Sequence, residues 1–371
     1  MPNGVSRDAL YDMIATTLDN YAPSGAFEMI QEFPRYEVVN RWMSKDRTTF
    51  TGGKSITRHV VLDENGTAEM VSPYQKFEGA QVDLMQTVTA PLTMCKSEYH
   101  ISREEMLANM SEERIVNLIE AKRKPAMMSK CNKLERQGFG VPQSSGDALN
   151  AYGLPYWISL GPNGSYAADF VGQTIRFGDD STGTIKGGLD GSTAGNSMFR
   201  NYAGLYTGFN SNLVNQMQLL WLNLDFRMPR NVKETGERPF TDYRIYMSLA
   251  NTSNYMSMAT SGNDNLGPDV SPYEGDSLVF KRTPIIPIKL LDSFSVADGG
   301  GTAFNPEPIY FVNHSRFRTF CQQGEFFRED GPYNDRSQPL VYTTYFFTMF
   351  QFLCDNVREG GAVLHKQIPS S

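Results

Sequence analysis

The stretch from Val341 to Phe352, VYTTYFFTMFQF, constrains the fold most, because it is crowded with Tyr and Phe yet too polar for a membrane. In an extended chain Tyr345 and Phe347 point to one side and Phe346 to the other. Neither side is cleanly polar, so the pattern predicts a strand that is covered on both faces. We expect the first cover to be the long helix described below, and the second to be another helix or the arm of a neighbouring copy. Gly360-Gly361 is interpreted as a turn that releases the end of the chain.

The composition of the 371 residues favours a globular, turn-rich protein with much β-structure, since aromatics make up 12% and there are 32 Gly and 20 Pro. A net charge of −7 argues against a dedicated nucleic-acid binder, whose affinity would depend on clustered Lys and Arg. No signal pattern opens the chain and no apolar run reaches ~18 residues, so we expect a soluble protein without a cleaved signal. The cysteines show no CxxC spacing and are predicted to be free thiols in a reducing cytosol: Cys95, Cys131, Cys321 and Cys354.

The first fifty residues consist of short pieces separated by helix breakers. Helical spacing predicts a short amphipathic helix at 7–21, a helical turn at 26–31 and an extended segment at 37–44. None of these pieces has enough apolar residues for a core of its own. We therefore expect residues 1–49 to form an arm that lies over another surface.

A β-hairpin is predicted next, because Asn65-Gly66 lies between β-rich runs and both residues tolerate positive φ. The flanking runs, 56–62 and 68–71, are too short and irregular to make a stable hairpin alone. The hairpin is therefore expected to protrude and to contact a neighbouring subunit through Val60, Val61, Asn65, Gly66 and Met70. A further strand is predicted at 81–101.

A long helix follows. The sequence SREE at 102–105 is a capping-box pattern that opens a short helix, and Ser111 then caps a longer helix at 112–137. Its length is about 39 Å at 1.5 Å per residue, and Pro125 is expected to kink it. Its excess of cations could attract a polyanion weakly, although a solvated helix face explains them as well; the basic residues are Lys122, Arg123, Lys124, Lys130 and Lys133.

The remainder alternates between the two kinds of structure, which gives an α+β fold class. Residues 139–210 are rich in Gly, Ser, Thr and Asn, and apolar spacing predicts a helix at 211–226 with Leu213, Met217, Leu220, Trp221 and Leu224 on its buried side. A strand at 242–249 precedes another helix that extends to about Met258. The last β signals lie at 279–291, 306–317 and 341–354.

No catalytic or metal-binding pattern emerges. The four histidines (His59, His100, His314 and His365) are scattered, and nothing local orients a Cys–His pair. The stretch TGGKSI at 51–56 lacks the first glycine of a phosphate loop, and DENG at 63–66 lacks the acidic spacing of a calcium loop. We predict neither a metal nor a cofactor. A β-rich hydrolase with dispersed carboxylates stays open as an alternative.

The order of these parts resembles the major capsid protein of tailed phages, the Hong Kong phage type of shell fold that encapsulins share. Residues 50–101 resemble the family's extended loop, 111–138 its spine helix, and the aromatic-Arg-Asn of Phe199, Arg200 and Asn201 the centre of its Gly-rich stretch. VFKRTPIIPIKLL (279–291), PEPIYFVNHSRF (306–317) and CDNVREGGAVL (354–364) resemble its C-terminal half. The likeness covers the chain from about residue 48.

It implies these regions: an arm at 1–49, an extended hairpin loop and return strand at 50–101, the peripheral domain's spine helix at 102–145, the first part of an axial domain at 146–240, a mixed sheet at 241–340 and the peripheral domain's terminal strand at 341–371.

The resemblance implies a non-enzymatic subunit that assembles into pentamers and hexamers of an icosahedral viral head around double-stranded DNA. Its location would be the virion, after assembly in the host cytoplasm. Implied partners are other copies of the chain, a portal, a decoration protein, and a separate scaffolding protein or none, since no charged coiled coil precedes the arm. The same fold leaves an encapsulin-type nanocompartment open as the alternative. No Lys–Asn–Glu trio for subunit cross-linking is identifiable.

Overall fold

The computed structural model describes residues 31–64, 66–72, 85–108, 112–161, 168–226, 242–261, 273–274, 277–297, 303–335 and 338–367. The chain separates into two units, Met1–Pro34 and Arg35–Ser371. Only residues 31–34 of the first unit are described, so the account below concerns the second unit. The predicted helix at 7–21, and nearly all of the turn at 26–31, lie outside the described residues.

The described elements are mixed, which confirms the α+β class. The strands are β1 (Arg47–Phe50), β2 (Ser55–Val61), β3 (Met85–Pro91), β4 (Thr93–Ser102), β5 (Asp169–Gly172), β6 (Ile175–Arg176), β7 (Thr182–Gly183), β8 (Ile185–Lys186), β9 (Leu189–Asp190), β10 (Asn201–Leu205), β11 (Tyr243–Met247), β12 (Tyr273–Glu274), β13 (Ser277–Phe280), β14 (Thr283–Pro287), β15 (Val296–Ala297), β16 (Ala303–Phe304), β17 (Ile309–Asn313), β18 (Phe317–Gln322), β19 (Arg328–Asp335), β20 (Gln338–Cys354) and β21 (Gly361–His365). The α-helices are α1 (Arg103–Ala108), α2 (Glu112–Gly138), α3 (Leu154–Trp157), α4 (Ser211–Asn223), α5 (Leu249–Ser261) and α6 (Val357–Gly360).

The larger sheet contains eight of the described strands, in the order β12-β13-β14-β11-β17-β21-β10-β5. Every residue of β17 and β21 is buried, because apolar runs without alternation suit strands covered on both faces. Helix α4 packs on this sheet through Leu213, Met217 and Leu220, as its apolar spacing predicts. Trp221, predicted on the same side, is only partly buried.

The segment Gly361–His365 is placed differently from the prediction. Gly361 does not release the chain, since it begins β21, which lies between β17 and β10 inside the larger sheet. A Cβ atom on Gly361 would come within 2.1 Å of Ile158 Cδ1 and 2.6 Å of the Phe311 carbonyl oxygen. The glycine is therefore required by close packing and not by a turn. Residues 341–365 consequently contribute to both sheets.

The second sheet contains five of the described strands and is built around β20, which is 17 residues long. Strand β20 pairs with β18 and β19 along one edge and with β4 along the other. On one face Phe346 is buried with Tyr99 and Ala126 in a cluster that includes helix α2, so the predicted packing of this strand against the long helix is confirmed. On the opposite face Tyr345 and Phe347 are half-buried, with ring centroids 5.8 Å apart.

Helix α2 is 27 residues long and contains Pro125, as the sequence predicts. The capping box that precedes it is also confirmed at the start of α1. The Ser102 N–H donates to Glu105 Oε2 at 2.9 Å, and the Glu105 N–H donates to Ser102 Oγ at 3.2 Å. Two donors that a helix start would leave unpaired are thus satisfied.

The segment just before β1 belongs to the core of its own subunit, which corrects the prediction that it lacks one. Residues Val38–Trp42 form a π-helical turn rather than an extended segment, and Val38 and Trp42 are buried. The Trp42 ring lies 5.1 Å from both Phe139 and Phe317. The turn is stabilised because the Glu135 carboxyl accepts from two backbone N–H groups at its start. The division into named domains stays a prediction.

Candidate intersubunit hairpin and buried polar clusters

The extended hairpin is formed by β2 and β3, which pair antiparallel from Ser55↔Pro91 to Val61↔Met85. The prediction that β2 turns at Asn65-Gly66 and pairs with residues 68–71 is therefore wrong. Residues 66–72 contain no strand, and Asn65 lies outside the described residues. The longer alternating run at 85–91 is the better partner because it places Val88 and Ala90 on the same side as Ile56, where all three are buried.

The far end of the hairpin exposes apolar side chains. Val61 and Met85 face each other across the ladder and are 66% and 60% exposed, and Met70 is fully exposed. Among the other predicted contact residues, Val60 is half-buried against the core and Gly66 is exposed. Exposed apolar side chains grouped at one end of a hairpin are typical of a surface that another chain covers.

The near end of the hairpin is attached to the body of the subunit. The Thr89 N–H donates to the Gly187 carbonyl at 2.8 Å. The Arg58 guanidinium lies 3.7 Å from the Asp355 carboxylate and 5.3 Å from the Phe320 ring centroid. Beyond Arg58 a cleft of about 570 Å³ separates the hairpin from the body, with Asp63, Glu64, Arg316 and Arg358 among its lining residues. The hairpin is thus fixed at its base, and further out Val60 and Leu62 still pack against the core while Val61 is exposed.

The predicted basic residues of helix α2 do not form one exposed face, which corrects the prediction. Lys122 Nζ contacts Glu105 at 2.6 Å, and Arg123 contacts Glu329 at 2.9 Å. Lys130 is buried, and burial lowers the pKa of its amine to about 8. Lys124 and Lys133 are exposed, as are Arg123 and Arg136 of the same helix. Local charge counting missed the ion pairs because the carboxylate partners come from α1 and β19.

A buried polar network brings together residues that a hydrolase site would need. Tyr246 Oη lies 2.7 Å from His314 Nε2, and His314 Nδ1 lies 3.7 Å from Asp46 Oδ2. Burial raises the pKa of Tyr246 well above its ordinary value and lowers that of His314 well below its own. His314 is only 4% exposed, so a substrate cannot reach this pair. The geometry is that of a structural network that fixes residues 37–46 on the larger sheet.

The described residues, this network included, contain no group of three or more His, Cys, Asp or Glu that could hold a metal ion. Within the same part of the chain, no helix is long and apolar enough to span a membrane. The four cysteines are free thiols.

A second buried cluster was not predicted from the sequence. Lys186 is 1% exposed and its Nζ donates to the carbonyls of Trp157 (2.9 Å) and Gly172 (3.1 Å) and to Asn201 Oδ1 (3.0 Å). Burial lowers the pKa of this amine to about 7. Asn201 in turn donates through Nδ2 to the Ser159 carbonyl at 2.8 Å. The aromatic-Arg-Asn motif pointed to Asn201, but nothing in the sequence identified Lys186 as its partner.

Comparison with solved structures finds the same fold in subunits of capsids and of an encapsulin. The chain is similar to a chain of the cyanophage A-1(L) capsid asymmetric unit, with a TM-score of 0.60 and 11% identity over 94% of this chain and 96% of that one. It is similar to the capsid of Myoviridae phage XM1 (TM-score 0.52, 12% identity, 94% and 97% covered). It is also similar to the SrpI encapsulin complex from Synechococcus elongatus PCC 7942 (TM-score 0.51, 10% identity, 96% of each chain covered).

No family model matches the sequence, and no curated protein is significantly similar to it. The fold is therefore recognised from the structure alone, because only about one residue in ten is identical between this chain and the similar solved chains. The resemblance to the tailed-phage capsid and encapsulin fold is confirmed over nearly the whole chain.

Proposed function

We propose, from the fold it shares with phage capsid proteins, that this chain is the major capsid protein of a tailed phage. It assembles into pentamers and hexamers that form an icosahedral head around double-stranded DNA. The likeness to the cyanophage and phage XM1 capsid chains spans more than nine-tenths of each chain. No catalytic role and no cofactor form part of the proposal.

The observation that carries the proposal is the hairpin with a fixed base and an apolar far end. Val61, Met70 and Met85 contribute exposed apolar surface. In a ring of copies related head to tail, one surface of each subunit covers a different surface of the next. The hairpin then lies on the adjacent subunit, and burial of its apolar side chains, worth about 25 cal/mol per Å², favours assembly.

The proposed partners follow from this head-to-tail assembly. Other copies of the chain are the main partner, with a portal, a decoration protein and a separate scaffolding protein as further ones. Contact with packaged DNA is weak and independent of sequence, because the chain is acidic overall and the basic residues of α2 include the buried Lys130 and the ion-paired Lys122 and Arg123. The proposed location is the virion.

A second candidate function is a nanocompartment shell that packages a protein. It is favoured by one observation, the likeness to the SrpI encapsulin over 96% of each chain. The content of purified particles decides between the two functions: double-stranded DNA supports the capsid, and a protein cargo in nucleic-acid-free particles supports the nanocompartment.

The test of the shell function is the double substitution Val61→Asp and Met85→Asp. Deletion of residues 56–71 would also abolish assembly, but it removes β2 and leaves β3 unpaired. The double variant should fold like the original chain, since both side chains are exposed, and should fail to form particles in electron microscopy and size-exclusion chromatography. Gln86→Asp, an exposed polar neighbour on the opposite side of β3, is the matched control and should assemble normally. Normal particles from the double variant would contradict the role of the hairpin.

A further inference from the structure

The hairpin of strands β13 and β14 turns through two residues in a conformation that suits neither of them. Phe280 pairs with Thr283, and the turn therefore consists of Lys281 and Arg282 alone. Their φ angles are 45° and 63°, in the left-handed region where two-residue hairpin turns favour Asn-Gly. Lys and Arg adopt this conformation at a cost in stability, because the Cβ atom then crowds the backbone. Both residues are exposed, so this cationic turn breaks a local rule at a place where a contact outside the subunit can use its charge.

A second turn carries the opposite charge. It joins β6 to β7, and Asp179 and Asp180 lie exposed at its tip. The Asp179 carboxylate accepts from the Ser181 N–H at 3.0 Å, which fixes the shape of the turn. Asp180 has a φ of 63°, a conformation that Asp tolerates better than most residues. This acidic turn therefore holds two carboxylates in solvent on a defined backbone.

The pairing of the larger sheet puts the two turns at the same end of its strands. Strands β14 and β11 run parallel and start at that end, and the antiparallel strand β17 finishes there. Strands β21 and β10 start there as well. Strand β5 finishes there, with its last residue, Gly172, opposite Asn201 at the start of β10. The cationic turn directly precedes β14, and the acidic turn belongs to the short hairpin that follows β5 after Gln173 and Thr174.

The same pairing puts the two turns on opposite flanks of the sheet. Strands β14 and β5 are five spacings apart in the order β14-β11-β17-β21-β10-β5, which is about 24 Å at 4.8 Å per spacing. Charges of opposite sign thus lie on opposite flanks and at one level. In a head-to-tail ring, each subunit presents one surface to the copy before it and a different surface to the copy after it. Opposite flanks of one sheet meet this requirement.

We propose that the cationic turn of one copy pairs with the acidic turn of the next copy around a ring. The pairing rests on the proposed shell function and adds to it the residues of one lateral contact. Lys281 and Arg282 supply the cations, and Asp179 and Asp180 of the neighbouring copy supply the carboxylates. Because both turns lie at the same end of the sheet, the contact joins neighbours in one plane and sets their register.

The test reverses the charge of each turn in the full chain. One variant carries Lys281→Asp with Arg282→Asp, and the other carries Asp179→Lys with Asp180→Lys. Each has like charges on both flanks, and a closed ring repeats the repulsion at every boundary between subunits. The chain concentration needed for particles in electron microscopy should rise at least about tenfold in each variant. The unassembled variants should still unfold cooperatively, since the substituted residues are exposed.

Rescue separates this pairing from a general effect of charge. The chain with all four substitutions again has opposite charges on its two flanks and should assemble at the original concentration. An equal mixture of the two reversed variants should form six-membered rings in which the variants alternate, as measured by native mass spectrometry. Neither chain is altered further in that mixture, so the recovery arises between subunits and not from refolding of one.

The matched control keeps the turn and removes only its charge. Lys281→Asn with Arg282→Gly gives the residues that this turn geometry favours, so the melting temperature should rise while particle formation weakens. Particles from a reversed variant or from this control at the original concentration would overturn the pairing and leave the shell function standing. A lack of recovery in the chain with all four substitutions would do the same. An original chain that never associates would refute both the pairing and the shell.

Discussion

The phenol oxygen of Tyr246 lies 2.7 Å from Nε2 of His314, and both side chains are buried. Trp42 donates its indole N–H to the same phenol oxygen at 2.9 Å. Arg41 forms ion pairs with Asp46 and Asp242 beside them. One polar network therefore joins the segment before β1 to strand β11 and to the turn after β17, and its protonation state matters for all three.

The first prediction concerns acid. Burial lowers the pKa of His314 well below 6.5, so the unfolded chain binds a proton there more readily than the folded chain. Stability is then retained above about pH 6.5 and lost as the pH falls below it, by at most about 1.4 kcal/mol per pH unit. The variant His314→Gln should show a shallower loss of unfolding free energy between pH 6.5 and 5. His59→Gln, which changes an exposed histidine, should keep the original slope. Equal slopes in all three proteins would show that His314 is not responsible.

The second prediction concerns Lys130→Met under reducing conditions. The substitution keeps most of the buried stem and removes an amine that has no hydrogen-bond partner among the described residues. Burial lowers the pKa of Lys130 to about 8, which means that the charged form is destabilised in the folded chain. We expect the unfolding free energy to rise by roughly 1–3 kcal/mol in urea titrations at pH 7. Lys124→Met, at an exposed position of the same helix, should change it by less than about 0.5 kcal/mol. A clear loss of stability in Lys130→Met would reveal a partner for the amine.

The third prediction is the opposite outcome for Lys186→Met. Here the amine donates to the Trp157 and Gly172 carbonyls and to Asn201 Oδ1, and the substitution leaves these buried acceptors short of a donor. We expect a loss of about 2–4 kcal/mol in the same titration. The comparison of the two buried lysines separates the effect of hydrogen bonding from that of burial, and a gain in stability at both positions would refute it.

The fourth prediction concerns Gly361→Ala. The added methyl group would overlap Ile158 Cδ1 and the Phe311 carbonyl oxygen, and the backbone of β17 cannot yield without loss of sheet pairing. A loss of at least about 2 kcal/mol, or failure to obtain folded chain, is expected from thermal unfolding. Gly208→Ala, where an added Cβ meets nothing within 4 Å, should stay within about 1 kcal/mol of the original chain. Similar melting of the two variants would mean that β21 can shift.

Local sequence patterns predicted correctly the elements that are determined by residues close together in the sequence. The capping box of Ser102 and Glu105, the long helix α2 and the buried side of α4 follow from spacing within a few turns, and each was confirmed. The chain's order of elements was enough to suggest the shell fold, because that order is hard to obtain by chance.

The errors arose where the deciding partner is distant in sequence. Asn65-Gly66 looked like a tight hairpin turn, but β2 gains more burial by pairing with β3. Glu329, which pairs with Arg123, lies on a strand that no helical pattern could bring to α2. Lys186 gave no signal at all, since its three acceptors are two backbone carbonyls and one distant side chain.

The position of β21 has a consequence for how the subunit is made. This strand follows every other described strand in the sequence, yet it lies inside the larger sheet with a neighbour on each side. During synthesis, the edges of β17 and β10 that pair with β21 therefore stay unpaired until Gly361–His365 has left the ribosome. A chain that stops short of this strand lacks the middle of the sheet, and in the proposed shell it would not join a ring of complete copies. In the proposed shell, the order of the strands would thus exclude truncated chains without a separate factor.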